Sequence, residues 1–506
     1  MHRPRHLTVE DELGLEKSMP AAVDRFEWTD APASGRAPVV FLGLGPEPEK
    51  LPEWFDLPDR EIRFLECPAF ARQVDGWQRR VPANFRPMAD DEFTRDLAAG
   101  ARVVRYLPAH RAFPSYFAPL SARLALRAAD LQKRGRTAWI PASGDDLLCR
   151  ELAQALRGAG YEVDLIDHEP PERHPGRVLP ELLAQGVPDL FLSVNFKGLD
   201  PFGLGHAILR EAGVQVGIWL VDNPFNLLTA VKSGYWKCAK LFVTDHSFIG
   251  PLIGEGARWA THLPLAASPA LFESGGVLPE NAQGLKDRLI FVGRSEFPDR
   301  DRFFAGITVP PELADRVNAD ADGRRFDYHW WRDRTRIARL WPGNAVRAVG
   351  AGAEWAGRKW KLDCLRAAGR IVVFGDPGWQ GLANHGADLR GPVDYYAHLP
   401  AVYRAAAATL NVTGMQLPAG LTQRHFDVWC AGGFLISDAN PGLNIFPPEL
   451  VDPIRFTRPG DIRDLFLRHR EETQAKRELR AAWKECVLAD HTYADRVRTI
   501  IAALGL

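Results

Sequence analysis

The stretch Thr137-Ala138-Trp139-Ile140-Pro141-Ala142-Ser143-Gly144-Asp145-Asp146, running into an amphipathic pattern over residues 147–157, decides how the chain is read. A short apolar run ends at a proline and a Gly- and Asp-bearing turn follows. Asp145 or Asp146 is placed to cap the helix that comes next. Gly158-Ala159-Gly160 stops that helix, and Tyr161-Glu162-Val163-Asp164-Leu165-Ile166 reads as another strand. The alternation then repeats: helix over 176–185, strand 189–194, helix 206–211, strands 216–221 and 239–244, with 257–262 closing the set. Apolar strands separated by amphipathic helices are buried on both faces, as in a parallel sheet covered by helices.

Toward the carboxyl terminus, residues 271–286 contain Gly, Pro and Asn and read as a linker. A second series follows, with strands at 289–292, 371–374, 408–412 and 433–437 and helices at 334–340, 360–368 and 425–430. Residues 461–486 read as one long charged helix or a pair, and 493–504 as a last helix. Toward the amino terminus, 39–43, 61–65 and 102–107 are strands in a Pro- and Trp-rich segment. The expected fold class is α/β, with two doubly wound Rossmann-like domains facing a cleft. An α/β extension precedes them and carboxyl-terminal helices follow. The expected boundaries are 1–130 for the extension, suited to acceptor or partner recognition, 131–275 and 276–490 for the two domains, and 491–506 for the closing helix.

The chain has 506 residues, enough for about three domains at roughly 100–200 residues each. Its 63 Lys and Arg nearly balance its 64 Asp and Glu. That balance argues against a nucleic-acid partner, which needs a basic excess, and against a polybasic membrane anchor. No run approaches the about 20 apolar residues of a membrane helix, so no integral membrane segment is expected. The first residues lead into Glu10-Asp11-Glu12 rather than into an apolar signal core. The six cysteines are scattered without a CxxC pair, which fits reduced thiols in a cytoplasmic protein without a zinc site.

Ligands of open parallel sheets bind beyond the carboxyl ends of the strands, so those ends carry the candidates. After 289–292 come Gly293 and Arg294, then Arg300. The glycine admits a ligand to the backbone, and the arginines offer planar forks for phosphate oxygens. A plain surface turn fits the same residues. After 371–374 comes Gly375-Asp376-Pro377-Gly378-Trp379, a turn that wraps a base or simply reverses the chain. Leu410-Asn411-Val412-Thr413 leads through a Gly-containing loop to a short helix with Arg424 near its start and Asp427 one turn on. Such a helix start seats a diphosphate, and the carboxylate suits the hydroxyls of a ribose. The competing reading is a helix whose Asp427 only offsets the helix dipole. Lys359 reads better as a solvated helix face. In the first series, Asp222 and then His246 are the candidate general bases, and each fits equally as a cap or turn former. Asp320-Ala321-Asp322 matches a D-x-D pattern that can share a divalent cation, but no apolar strand precedes it. It reads as a solvated loop, and no metal is expected.

The run Arg424-His425-Phe426-Asp427-Val428-Trp429-Cys430-Ala431-Gly432-Gly433-Phe434-Leu435-Ile436-Ser437-Asp438 resembles the R-x-F-E-x-x-A-x-G-x-x-x-x-(T/S)-D signature of the CgeB-like (spore maturation protein) glycosyltransferases. Asn411-Val412-Thr413 is similar to that family's L-N-x-T segment, and Phe291-Val292-Gly293 with Pro298-Asp299-Arg300 to its F-V-G…R segment. Asp490-His491-Thr492-Tyr493 with Arg496 is similar to its terminal H-T-Y-x-x-R. Upstream, Trp219-Leu220-Val221-Asp222-Asn223-Pro224 and Phe242-Val243-Thr244-Asp245 resemble the associated amino-terminal domain. The resemblance covers about residues 135–500 and implies a GT-B fold and a metal-free transfer from a nucleotide-sugar, with UDP- or dTDP-linked donors expected. It makes Asp427, one methylene shorter than the family's glutamate, the residue that grips the ribose. Arg294, Arg300 and Arg424 become diphosphate ligands, and Gly375 and Asp376 fall beside the base. No motif marks the acceptor, which fits a protein side chain, a surface glycan or a small molecule. An NAD(P)-dependent oxidoreductase is the first rival, but Gly43-Leu44-Gly45-Pro46 lacks the third glycine of G-x-G-x-x-G. A non-catalytic two-lobed binding protein is the second, and a catalytically inactive glycosyltransferase-like subunit the third.

Overall fold

A computed structural model of the chain describes residues 6–29, 37–55, 57, 61–144, 146–273, 275–304, 306–319, 325–335 and 343–506. At the amino terminus β1 (His6–Glu10) and β2 (Glu16–Pro20) form an antiparallel hairpin. β3 (Phe26–Trp28), β4 (Val39–Leu42), β5 (Ile62–Leu65), β6 (Phe85–Pro87) and β7 (Arg102–Tyr106) then build a sheet in the order β3-β7-β4-β5-β6. Its edge strand β3 pairs antiparallel, and the other pairings are parallel. Aromatic side chains fill this module: Phe41, Phe70, Phe93, Tyr106 and Phe117 are fully buried, so it has a core of its own.

The second sheet contains β8 (Thr137–Ala142), β9 (Glu162–Asp167), β10 (Leu190–Val194), β11 (Gln215–Leu220), β12 (Lys240–Val243) and β13 (Ala260–His262), in the order β13-β12-β11-β10-β8-β9. β10 is buried at every residue, whereas the edge strand β9 alternates, because only a central parallel strand is covered on both sides. The capping expectation is not met by Asp146. Asp145 lies outside the described residues, and Asp146 accepts from the Ser143 amide at 2.7 Å and pairs with Lys197. The helix Cys149–Gly158 starts instead from Leu148 in the left-handed region, with no side-chain cap.

The third sheet contains β14 (Leu289–Val292), β15 (Val372–Phe374), β16 (Asp388–Arg390), β17 (Ala408–Asn411), β18 (Leu435–Asp438) and β19 (Arg455–Phe456), in the order β16-β15-β14-β17-β18-β19. All of these strands run parallel. The chain leaves β14 toward one edge and returns to lay β17 on its other side, so the winding reverses between β14 and β17. Both doubly wound sheets, the α/β extension and the closing helices thus agree with the expected fold class.

The helix expected at 360–368 extends over Gly343–Ala368. Its first half is rich in Ala and Gly, which leave only a faint apolar period to read. A Cβ on Gly350 would stand 2.7 Å from Asn226 Oδ1, and one on Gly352 would stand 2.4 Å from the Trp331 ring. Small residues are needed there because other groups pack onto the helix backbone. Residues 461–486 resolve into the helices Asp461–His469 and Gln474–Asp490, with Trp483 of the latter stacked on Trp429 at 4.9 Å. The last helix, Tyr493–Leu504, starts at a capping box made by Thr492 and Asp495. The D-x-D loop and most of the expected helix at 334–340 lie outside the described residues. Among the described residues no helix is long and apolar enough to cross a membrane.

The chain divides into two compact units. The first comprises residues 1–146, 161–218 and 230–240, and the second residues 147–160, 219–229 and 241–506.

Candidate functional site

Where β14 and β17 part company, the carboxyl ends of both strands are left open to a ligand. Arg424, the first residue of the helix Arg424–Cys430, straddles them. Its Nε donates to Asn411 Oδ1 at the end of β17 at 2.8 Å, and its Nη1 donates to the carbonyl of Val292 at the end of β14. The guanidinium carbon stands 5.4 Å from the centre of the Phe291 ring. A guanidinium has five N–H donors, and among the described residues no carboxylate pairs with this one. Burial lowers its pKa, while Tyr403, Asp438 and Asp427 pull the other way. An arginine remains cationic under such a shift.

Asn411 orients Arg424 and is itself fixed. Thr422 Oγ1 donates to its Oδ1 at 2.9 Å, and its Nδ2 donates to Thr413 Oγ1 at 3.2 Å and Ser437 Oγ at 3.1 Å. The side chain is therefore committed to protein partners. Gly293 and Gly375 bind two loops together. Trp379 Nε1 donates to the Gly293 carbonyl at 2.9 Å, and a Cβ on Gly375 would fall 2.4 Å from that same oxygen. Asp376 accepts from the Ser295 amide at 2.8 Å, Ser295 Oγ at 2.7 Å and the Gly378 amide at 2.9 Å. Burial tends to raise the Asp376 carboxyl, but these hydrogen bonds outweigh it and hold the group below its ordinary range.

The other expected cations make different contacts. Arg294 is exposed and offers only its carbonyl, which accepts from Lys361 Nζ at 3.1 Å. Arg300 opens a short helix and turns its guanidinium to the adjacent Asp301 at 3.1 Å. Lys359 pairs with Asp363 one turn on at 2.8 Å, as the solvated-face reading has it. The cation that sequence reasoning missed is Lys361, 5.8 Å from the centre of the Trp379 ring. Burial lowers its ammonium, Glu354 opposes that, and the charge of Arg424 adds to it. The signal was available: Lys361 is seven residues after Glu354 on one helix face, and Glu354 accepts from the Phe297 amide at 3.0 Å.

Asp427 is almost wholly buried, and its Oδ2 accepts from the Tyr395 hydroxyl at 2.6 Å. Burial pushes this carboxyl well above its ordinary value; Tyr395 pulls it back, and the nearby Glu151 raises it further. Gln423 Nε2 donates to Tyr395 at 3.2 Å and to the Tyr493 hydroxyl at 2.8 Å, while Tyr396 donates to Glu151 Oε2 at 3.1 Å. Glu151 Oε1 and Gln423 Oε1 are buried without a hydrogen-bond partner among the described residues. This buried polar set was not legible, because residues 151, 395, 423 and 493 share no local pattern.

Asp222 and His246 are both exposed, just beyond β11 and β12. His246 sets its ring edge-on to His262 at 5.3 Å, and the neighbouring residues reach the loop after β17. Asn223 caps the helix Pro224–Leu228 and donates to the Gln416 carbonyl at 2.8 Å. Asn226 Nδ2 donates to Gln416 Oε1 at 3.1 Å, and Asp245 accepts from the Ala419 amide at 2.9 Å. The loop after β17 is thereby clamped.

Residues 358–502 match the model of a glycosyl transferase-like family. The match includes Lys361, Asp376, Asn411, Arg424 and Asp427. Among solved structures, HepE of Anabaena in complex with UDP and glucose is similar at 10% identity, over 73% of this chain and 99% of that chain, with a TM-score of 0.43. A glycosyltransferase from Rickettsia africae is similar at 10% identity over 74% of this chain and 98% of that one, with a TM-score of 0.44. A UDP-forming trehalose-phosphate synthase from Burkholderia xenovorans gives 12% identity over 73% and 98%, with a TM-score of 0.38. The architecture rests on the strand orders above, not on these distant likenesses. No curated protein matches the sequence at a significant level.

Proposed function

We propose that the chain is a glycosyltransferase of the CgeB-like kind, GT-B in arrangement, that transfers a hexose from a nucleotide-diphosphate sugar to an acceptor. The observation that carries this reading is Arg424, a guanidinium without a carboxylate partner among the described residues, fixed across the ends of β14 and β17. As the bond between the sugar and the diphosphate breaks, negative charge develops on the leaving oxygens. Preorganised N–H donors aimed at that charge lower the barrier. Arg424 supplies them and Lys361 adds a second cation, so the reaction proceeds without a metal. Arg294 and Arg300 are assigned to the outer edge of the diphosphate site.

The loop at 375–379, pinned to Gly293 by Trp379, is assigned to the base of a UDP- or dTDP-linked donor. Asp427 acts on the ribose through the Tyr395 and Gln423 groups that it orders. Asp222 is the first candidate to take the acceptor proton, and His246 the second. The acceptor is a protein or a surface glycan, and the reaction is cytoplasmic. The four segments bounded at 130, 275 and 490 serve as extension, first Rossmann-like domain, donor domain and closing helix.

A thermal-shift panel of UDP, GDP, dTDP and NAD(P), with and without Mn²⁺, tests this. Stabilisation by UDP or dTDP without metal, abolished in Arg424→Ala, is the expected result. No response to any nucleotide refutes the donor site. A preference for NAD(P) favours the oxidoreductase, and an Mn²⁺ requirement lost in Asp322→Ala restores the D-x-D loop.

A further inference from the structure

The first sheet contains a switch point of its own. The chain runs β4, β5, β6 toward one edge and returns to lay β7 against the other side of β4. A ligand site is expected beyond the carboxyl ends of β4 and β7. The glycine turn after β4 does not provide it, because the Leu44 amide is taken by Glu66 Oε2 at 2.8 Å. The β7 side does. His110 Nε2 reaches the Leu42 carbonyl at 3.3 Å, and beside it opens a cavity of about 360 Å³ lined by Arg105, His110 and Arg111. Arg173 and Phe202, from the segments after β9 and β10, complete its wall. A second cavity of about 510 Å³ shares Leu107, Arg111 and Phe202 with the first. Spaces of this size suit a small molecule.

The charges on the wall are unequal in availability. In the first cavity Asp200 accepts from the Phe202 amide at 3.0 Å and the Gly205 amide at 2.6 Å, and Glu172 Oε1 from the Gly198 amide at 2.8 Å; in the second, Asp11 accepts from the Leu13 and Leu15 amides, each at 2.9 Å, and Asp24 pairs with Arg25 at 3.5 Å. Glu172 also meets His168 Nδ1 at 2.9 Å. The guanidiniums are not spent in this way. Arg111 is exposed and has no ion pair among the described residues. Arg173 meets only Glu169, in a surface pair that a ligand can displace at little cost. Arg105 pairs with Glu27, and its Nε has no acceptor among the described residues. His110 is lowered to about 3 by burial and by the charge of Arg105, and its ring nitrogens meet the Leu42 carbonyl and Ser121 Oγ, each at 3.3 Å, so it forms an uncharged part of the wall. Phe202 is 38% exposed, leaving an apolar face beside the cations.

We propose that the first of these adjoining cavities binds a small anionic ligand, a phosphate or carboxylate on a compact body, with Arg111 and Arg173 holding the anion and Phe202 packing on the body. The site belongs to the first unit and stands whether or not the second unit handles a nucleotide.

Isothermal titration of the full chain with ribose 5-phosphate, glucuronate and neutral ribose tests the assignment. One or both charged probes bind and ribose does not, and their ranking identifies the favoured headgroup. Arg111→Ala weakens the better probe at least about tenfold, and Arg111→Ala with Arg173→Ala about a hundredfold. Both side chains are exposed, so the melting temperature of the variants stays near that of the parent. UDP binding is unchanged in them, while Arg424→Ala keeps the anion probe. Equal binding of ribose, no binding of either anion, or full affinity in a normally folded double variant overturns the proposal.

Discussion

Arg424 concentrates the donor-site argument in one side chain, because a planar fork can hold two strand ends and still present donors outward. Arg424→Lys keeps the charge but loses the fork, so UDP affinity is expected to fall at least about tenfold by titration calorimetry. Asp427 makes a prediction of opposite character. Burial raises its carboxyl in the folded chain, so the unfolded chain ionises first. Stability is then full below the ordinary carboxylate range and is lost as pH rises toward the folded value. Asp427→Asn still accepts from Tyr395 and removes that loss. It is expected to melt above the parent at about pH 8 and level with it near pH 4, and a lower melting point at both would show that the charged carboxylate is required. Arg424 and Asp427 were legible because a helix start and a one-turn spacing are local features. Lys361 was passed over for Lys359 because adjacent lysines look alike until the helix face is known.

At the scale of elements, the site depends on loops held by backbone contacts. Gly375 permits the loop after β15 to touch the loop after β14, and the Gly375→Ala Cβ would press on the Gly293 carbonyl and the Trp379 indole. Overpacking of this kind costs about 1–3 kcal/mol, read as a lower denaturant midpoint, and nucleotide affinity should fall with it. Asn223→Ala removes both a helix cap and the hydrogen bond to Gln416. A loss of about 1–2 kcal/mol is expected in urea unfolding, and unchanged stability would mean that the loop after β17 is held by Asp245 and Asn226 alone. At the ends of β11 and β12, Asn223 and Asp245, next to the expected Asp222 and His246, reach the loop after β17. Sequence spacing marks a strand end; which of two neighbouring side chains turns inward follows from the local backbone.

Across the whole molecule, a net charge of −1 coexists with cations gathered at two sets of strand ends. Hydrogen exchange should separate them. UDP is expected to protect the loops after β14, β15 and β17, and ribose 5-phosphate the segment from Arg105 to Ser121; a single shared footprint would contradict two sites. The apolar strands and amphipathic helices determined by themselves that the chain forms doubly wound parallel sheets. Their periodicity is a local property, and burial on both faces leaves few other solutions. Local chemistry also marked the helix start at Arg424. Only the tertiary structure decided the strand orders, and with them where each sheet opens. It alone brought Arg424 across Val292, set Lys361 beside Trp379 and buried Glu151 near Asp427. These groups are far apart in the chain, and their proximity comes from how helices pack over the sheets, which no single segment encodes.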